Sequence, residues 1–182
     1  YDPNKFEFEN YLNKFFEDKN RPSYLYLRDI YLQWYYNGIK GFSKNYQETI
    51  DKINDYKNLY NFQNIICMGS SSGGYASLYI GCKLNVNNII CFSPQIELSQ
   101  SIELYYNKFK RLFVKFTVEE KENFNLTKLI NEHKNKIFVF WVNYSDFYNI
   151  SKFLSQNPYI RKYLILKRRN IIIAKEKIIF EI

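Results

Sequence analysis

Short apolar runs alternate along this chain with longer stretches in which apolar side chains recur every three or four residues, a pattern that predicts strands separated by helices. Strands are expected at 23–27, 64–68, 88–92 and 136–142, and within 159–166, centred on 162–166. The run KIFVFWV at 136–142 has no polar interruption after its first residue, as expected of a strand buried on both faces. Helices are expected at 5–19, where Phe8, Leu12, Phe15 and Phe16 share a face, and at 44–60, where Ile50, Ile53, Tyr56 and Tyr60 do so. Further helices are expected at 75–82 and 147–154, with one or two more within 99–131. Strands alternating with helices imply an α/β fold: a mostly parallel sheet with helices on both faces.

The most informative stretch is 64–78, NIICMGSSSGGYASL, an apolar strand that turns sharply into a helix. Its turn reads G-x-S-x-G as Gly69, Ser71 and Gly73. Of three consecutive serines, only Ser71 has glycine at both minus two and plus two. A serine at the apex of a strand-to-helix turn is held in a strained conformation with its hydroxyl pushed above the sheet, which makes Ser71 the candidate nucleophile. The helix that follows aims its first amides at the same point, so the Ser72 N–H is the candidate oxyanion donor. No Lys follows the glycines as a phosphate-binding Walker loop requires, and G-x-G-x-x-G is absent.

Composition changes this picture little. The 182 residues are enough for one domain with a real core. The 20% aromatic content, together with abundant Ile, Asn and Lys, fits AT-biased coding better than a functional signature. The formal charge of +8 permits anionic partners, but the lysines are scattered and only Lys167, Arg168 and Arg169 cluster tightly, so no nucleic-acid partner is expected. Cys67, Cys82 and Cys91 lack C-x-x-C spacing and read as buried thiols of a reducing, cytoplasmic compartment. No metal site, cofactor or membrane span is expected, since no apolar run reaches 18 residues. Because the first residue is Tyr1 rather than Met, a true N-terminus upstream is expected.

Beyond the pentapeptide, the chain carries Arg28 and Asp29 at a strand end, then Trp34, Tyr35, Gly38, Ile39 and Gly41, then Gly74, Tyr75 and Ala76 after the elbow, and finally Phe92, Ser93, Pro94 and Gln95. With these residues the sequence resembles the α/β-hydrolases, and within them bacterial serine hydrolase-like proteins associated with surface polysaccharides. The resemblance covers about half the chain. It implies a single domain over 1–182, incomplete at the N-terminus and altered or truncated at the C-terminus. It further implies an esterase or acyltransferase acting on a glycan-linked acyl group, with Trp34, Tyr35, Tyr75 and Gln95 around the substrate and the aromatic rings stacking on a sugar face.

In that fold the order along the chain is Ser, then Asp or Glu, then His, all at the carboxyl ends of strands. Asp146, four residues past 136–142, fits the second place, with helix capping as its ordinary alternative and Glu97 as the weaker competitor. The third place is empty. The sequence's one histidine, His133, precedes Asp146 and falls before its strand, where a solvated helix-end residue is expected. Where the resembling proteins carry their histidine, this chain reads Lys167, Arg168, Arg169, Asn170, none of which is a base near neutral pH. A hydrolase lacking its histidine is therefore expected, and the alternative is an inactive hydrolase-fold module that holds a glycan or acyl ligand.

Overall fold

The structure is a computed structural model and describes residues 6, 8–16, 22–98, 124–141, 158–166, 171–174 and 178–180. Helix α1 spans Glu9–Phe15 and α2 spans Tyr46–Leu59, the latter capped by the Asn45 side chain, whose oxygen accepts the Glu48 N–H at 2.8 Å. Strand β1 (Ile66–Ser70) leads into α3 (Ser72–Lys83), followed by β2 (Asn88–Phe92), α4 (Thr127–Glu132), β3 (Lys136–Trp141) and β4 (Ile160–Leu166). These four strands are parallel and adjacent in chain order. Strands β5 (Ile171–Ala174) and β6 (Ile178–Phe180) extend the sheet as an antiparallel hairpin, which the apolar pattern had not distinguished.

The expected α/β class and mostly parallel sheet are therefore present, with local corrections. Strand β1 begins two residues later than expected because Ile65 is engaged elsewhere: its N–H donates to Asn87 Oδ1 at 2.8 Å, and its carbonyl accepts the Asn87 N–H. The ladder then starts at Ile66 opposite Asn88 and carries Gly69 and Ser70 into the strand, opposite Cys91 and Phe92. Residues 23–27, expected as a strand, form no ladder with any described strand. Their side chains are held by rings instead, Tyr26 lying between Phe6 (4.8 Å) and Tyr24 (5.7 Å), with the Arg28 guanidinium 4.5 Å above Phe6.

Strand β3 is more one-sided than its unbroken apolar sequence suggests. Ile137, Val139 and Trp141 are fully buried, while Phe138 and Phe140 are half-buried on the other face. On the buried side, Tyr75, Leu78 and Cys82 of α3 and Ile130 of α4 form one core with Ile89, Cys91, Ile137, Val139 and Trp141. Helix α2 packs outside α3 through Ile50 against Ala76 and Ile80. On the opposite face Phe92 stacks on Phe140 at 5.1 Å and meets Phe8, beside α1, at 5.3 Å. Expected helices at 147–154 and within 99–123 lie outside the described residues.

Candidate active site

The elbow forms because the strand and the helix approach at their backbones. A Cβ on Gly69 would run into the carbonyl of Gly73 and stand 2.7 Å from Ser77 Oγ, so only glycine fits there. Between these elements Ser71 takes φ 51° and ψ −116°, a positive-φ conformation that costs a non-glycine residue of order 1–3 kcal/mol. The surroundings hold it there: the Ser71 N–H donates to the Phe92 carbonyl at 2.9 Å, and its own carbonyl accepts the Tyr75 N–H at 3.0 Å. The residue is exposed at the carboxyl end of the parallel strands. Ser72 is the first residue of α3, so its N–H is one of those that a helix's own ladder leaves unused.

The chain after β2 returns to the same point. Ser93 turns with φ 44°, and its N–H donates to the Phe140 carbonyl at 2.6 Å. Pro94 then lies against the elbow helix, where a Cβ on Gly74 would be 3.0 Å from Pro94 Cβ. That contact delivers Gln95, whose Nε2 is 3.2 Å from Ser71 Oγ and whose Oε1 accepts the Trp34 indole N–H at 3.2 Å.

The loop carrying Trp34 has its own anchor. Asp29 is buried, and its carboxylate accepts three backbone N–H groups, from Tyr31 at 3.0 Å, Gln33 at 2.6 Å and Tyr35 at 2.9 Å. Such charge-assisted bonds are the strong ones. They fold the chain tightly enough to hold Leu32, Trp34 and Tyr35 at positive φ. The Tyr46 hydroxyl donates to the Trp34 carbonyl from α2, and burial raises its pKa well above the usual tyrosine value. Three stretches distant in sequence, 28–35, 69–76 and 92–95, thus meet at one hydroxyl. Neither Asp29 nor Tyr46 was a candidate site residue from sequence. The signals for Asp29 were its place just before an aromatic turn and its part in the motif that carries the family resemblance.

Two expectations about the aromatic rings are corrected. Trp34 is 3% and Tyr75 1% exposed, so neither offers a ring face to a sugar. Trp34 is turned inward by its bond to Gln95, and Tyr75 lies in the core with its hydroxyl donating to the Phe124 carbonyl at 3.3 Å. Tyr35 is half-buried, and its hydroxyl would be 3.8 Å from a Cβ on Gly73.

His133 is corrected as well. It terminates α4 as expected, but it is buried rather than solvated, and desolvation lowers its pKa from the usual imidazole value. It precedes β3, whose six residues run parallel to β1, so it stands about 20 Å from the edge that carries Ser71. Asp146 and 167–170 lie outside the described residues. Glu97 is on the loop after β2, in a bridge with Asn125. Among the described residues no cluster of His, Cys, Asp or Glu could hold a metal ion, and no helix is long and apolar enough to cross a membrane.

No protein-family model and no curated protein sequence matches the chain. Solved structures do match it by fold. A capsule O-acetyltransferase of Neisseria meningitidis serogroup A in complex with CoA is 19% identical, with 73% of this chain and 60% of that chain covered and a TM-score of 0.55. The substrate-bound Staphylococcus aureus fluorophosphonate-binding serine hydrolase F is 18% identical, with 71% and 59% covered and a TM-score of 0.51. An alpha/beta hydrolase enzyme from a lagoon-sediment metagenome is 14% identical, with 70% and 62% covered and a TM-score of 0.48. The chain thus spans about three fifths of the length of each of these proteins.

Proposed function

From an α/β-hydrolase fold with a serine at its elbow, we propose that this protein is a serine hydrolase or acyltransferase acting on a carboxylic ester of a glycan. The observation that carries the reading is Ser71, exposed at the carboxyl edge of the sheet and held at positive φ beside the first amide of α3. Strain of this kind is retained where the surroundings over-determine it, and it points a hydroxyl at a reacting carbonyl. Asp146 is assigned the place of the residue that orients a base, and Tyr35 that of an aromatic wall for a sugar. Two proteins sharing the fold bear names of this chemistry, an O-acetyltransferase and a serine hydrolase, and both names are compatible with acyl transfer through Ser71.

A second reading is favoured by the position of His133. The chain's single histidine belongs to the wrong edge, so the same site can hold an acylated glycan without turning it over. Removing a triad member from a serine hydrolase costs roughly four to six powers of ten in turnover, leaving oxyanion stabilisation and binding. Turnover of simple acetyl esters by this chain is accordingly expected to be very slow.

A fluorophosphonate probe separates the two readings. Slow, stoichiometric labelling over hours at pH 8, abolished in Ser71→Ala, supports the hydrolase. A chain that stays folded and takes up no label is a binding module.

A further inference from the structure

We propose that Gln95 is a side-chain oxyanion donor of this site: its amide N–H, aimed at Ser71 Oγ and locked by the Trp34 indole, meets the oxygen that becomes negative when Ser71 bonds to an acyl carbon. The inference rests on the hydrolase reading above and adds to it a residue with a defined step.

The orientation of the amide follows from chemistry. An indole N–H only donates, so the Gln95 atom 3.2 Å from Trp34 Nε1 must be the oxygen. The nitrogen then faces Ser71, 3.2 Å from Oγ. A free glutamine side chain would sample many rotamers. This one is fixed at its base by Pro94 against Gly74 and at its tip by Trp34, which is itself set by the Asp29 turn and by Tyr46. A donor already ordered in the resting protein needs no reorganisation during reaction, which is what oxyanion stabilisation requires. The bond also takes a lone pair of Oγ, leaving the hydroxyl proton to point elsewhere.

In the step itself, Ser71 Oγ bonds to the carbonyl carbon and its proton passes to a solvent base, hydroxide or buffer. The carbonyl π pair moves onto oxygen. That oxygen lies two bonds from Oγ, so a donor within reach of Oγ reaches it by a small shift of the amide while the Ser72 N–H meets it from the helix. Collapse of the intermediate breaks the bond to the leaving alcohol, which takes a proton from solvent, and the acyl group stays on Ser71.

The test is saturation kinetics of fluorophosphonate labelling, in which the P–F bond breaks and the phosphonyl oxygen occupies the same place. Loss of one such donor typically costs about 10²–10³ in rate. Gln95→Leu is expected to lower the maximal labelling rate by roughly that factor and leave the half-saturating probe concentration unchanged, because the bond tightens only in the transition state. Gln95→Glu keeps the volume and accepts from Trp34 but has no donor at pH 8. It should lose rate as Gln95→Leu does while the Trp34 indole N–H resonance stays near its wild-type position, and it carries the test if Gln95→Leu does not fold. Either folded variant labelling within threefold of wild type overturns the proposal and leaves the hydrolase reading standing. A wild-type chain that takes no label overturns both.

Discussion

Gly69 has no room for a side chain because the Gly73 backbone stands against it, whereas Gly73 itself faces only the Tyr35 hydroxyl, 3.8 Å from where a Cβ would be. The two glycines named together by the elbow motif are therefore not equivalent. In the first turn of the helix the more confined glycine is Gly74, where a Cβ would stand 3.0 Å from Pro94 Cβ.

Alanine substitutions should separate these roles. Gly69→Ala forces backbone against backbone and is expected to cost about 3 kcal/mol or more, beyond ordinary overpacking. Gly73→Ala adds a helix-favouring residue whose Cβ makes only an ordinary van der Waals contact with the Tyr35 hydroxyl, and it should be neutral or stabilising by up to about 1 kcal/mol. Urea midpoints of the two variants check this, and equal losses would mean that the elbow is not packed as described.

Asp29 holds three backbone N–H groups, each from a residue that precedes or occupies a positive-φ position. Asp29→Asn keeps the size but loses the charge and turns one acceptor atom into a donor facing an N–H. Hydrogen bonds to charged groups contribute about 1.5–3 kcal/mol each, so a loss of at least about 2 kcal/mol is expected. The Trp34 indole should become exposed as the turn opens. Red-shifted emission in a Trp141→Phe background would report it, and unchanged emission would show that the turn holds without the carboxylate.

How much of this was legible in the sequence follows from where the physics is local. The elbow could be read because glycine spacing at a strand-to-helix turn is a backbone requirement written in adjacent residues. The strand at 88–92 was placed correctly because its side chains are apolar, and the core needs Ile89 and Cys91. The Trp34–Gln95–Ser71 chain was not legible, since its partners lie 61 and 24 residues apart and no periodicity encodes a side-chain amide's direction. Burial misled in the same way. Tyr75 and Trp34 are amphipathic rings that suit either a sugar or a core, and only the packing of α3 and the Asp29 turn decides for the core.

The buried thiols make alkali the weak side of this fold. Burial raises Cys67 and Cys82 to about 12, and Cys91, fully enclosed with its Sγ 3.5 Å from the Gly74 carbonyl, is raised well above the usual thiol value. In the unfolded chain each titrates near 8.5. Above that value the unfolded state releases protons that the folded state keeps, so stability falls as pH rises, by up to about 1.4 kcal/mol per pH unit per thiol, until each folded pKa is reached. Urea denaturation at pH 7, 9 and 10 should show the decline, and Cys91→Ala should lessen its slope. A flat profile would mean that the thiols reach water.

The labelling chemistry carries its own pH signature. An imidazole beside Ser71 would give a rate that rises through about pH 6.5 and then levels off as the base becomes fully neutral. The chain's one histidine is buried at the opposite edge of the sheet, and desolvation moves its pKa downward from the usual imidazole value. With solvent as the base, the rate of fluorophosphonate labelling at Ser71 should instead climb about tenfold per pH unit from 6 to 9 with no plateau, in proportion to hydroxide. His133→Gln should leave that line where it is. A plateau near neutrality that survives His133→Gln would reveal another base acting on Ser71. A plateau that vanishes with His133 would place this buried imidazole in the reaction, against the 20 Å or so that the parallel register of β1, β2 and β3 puts between the two residues.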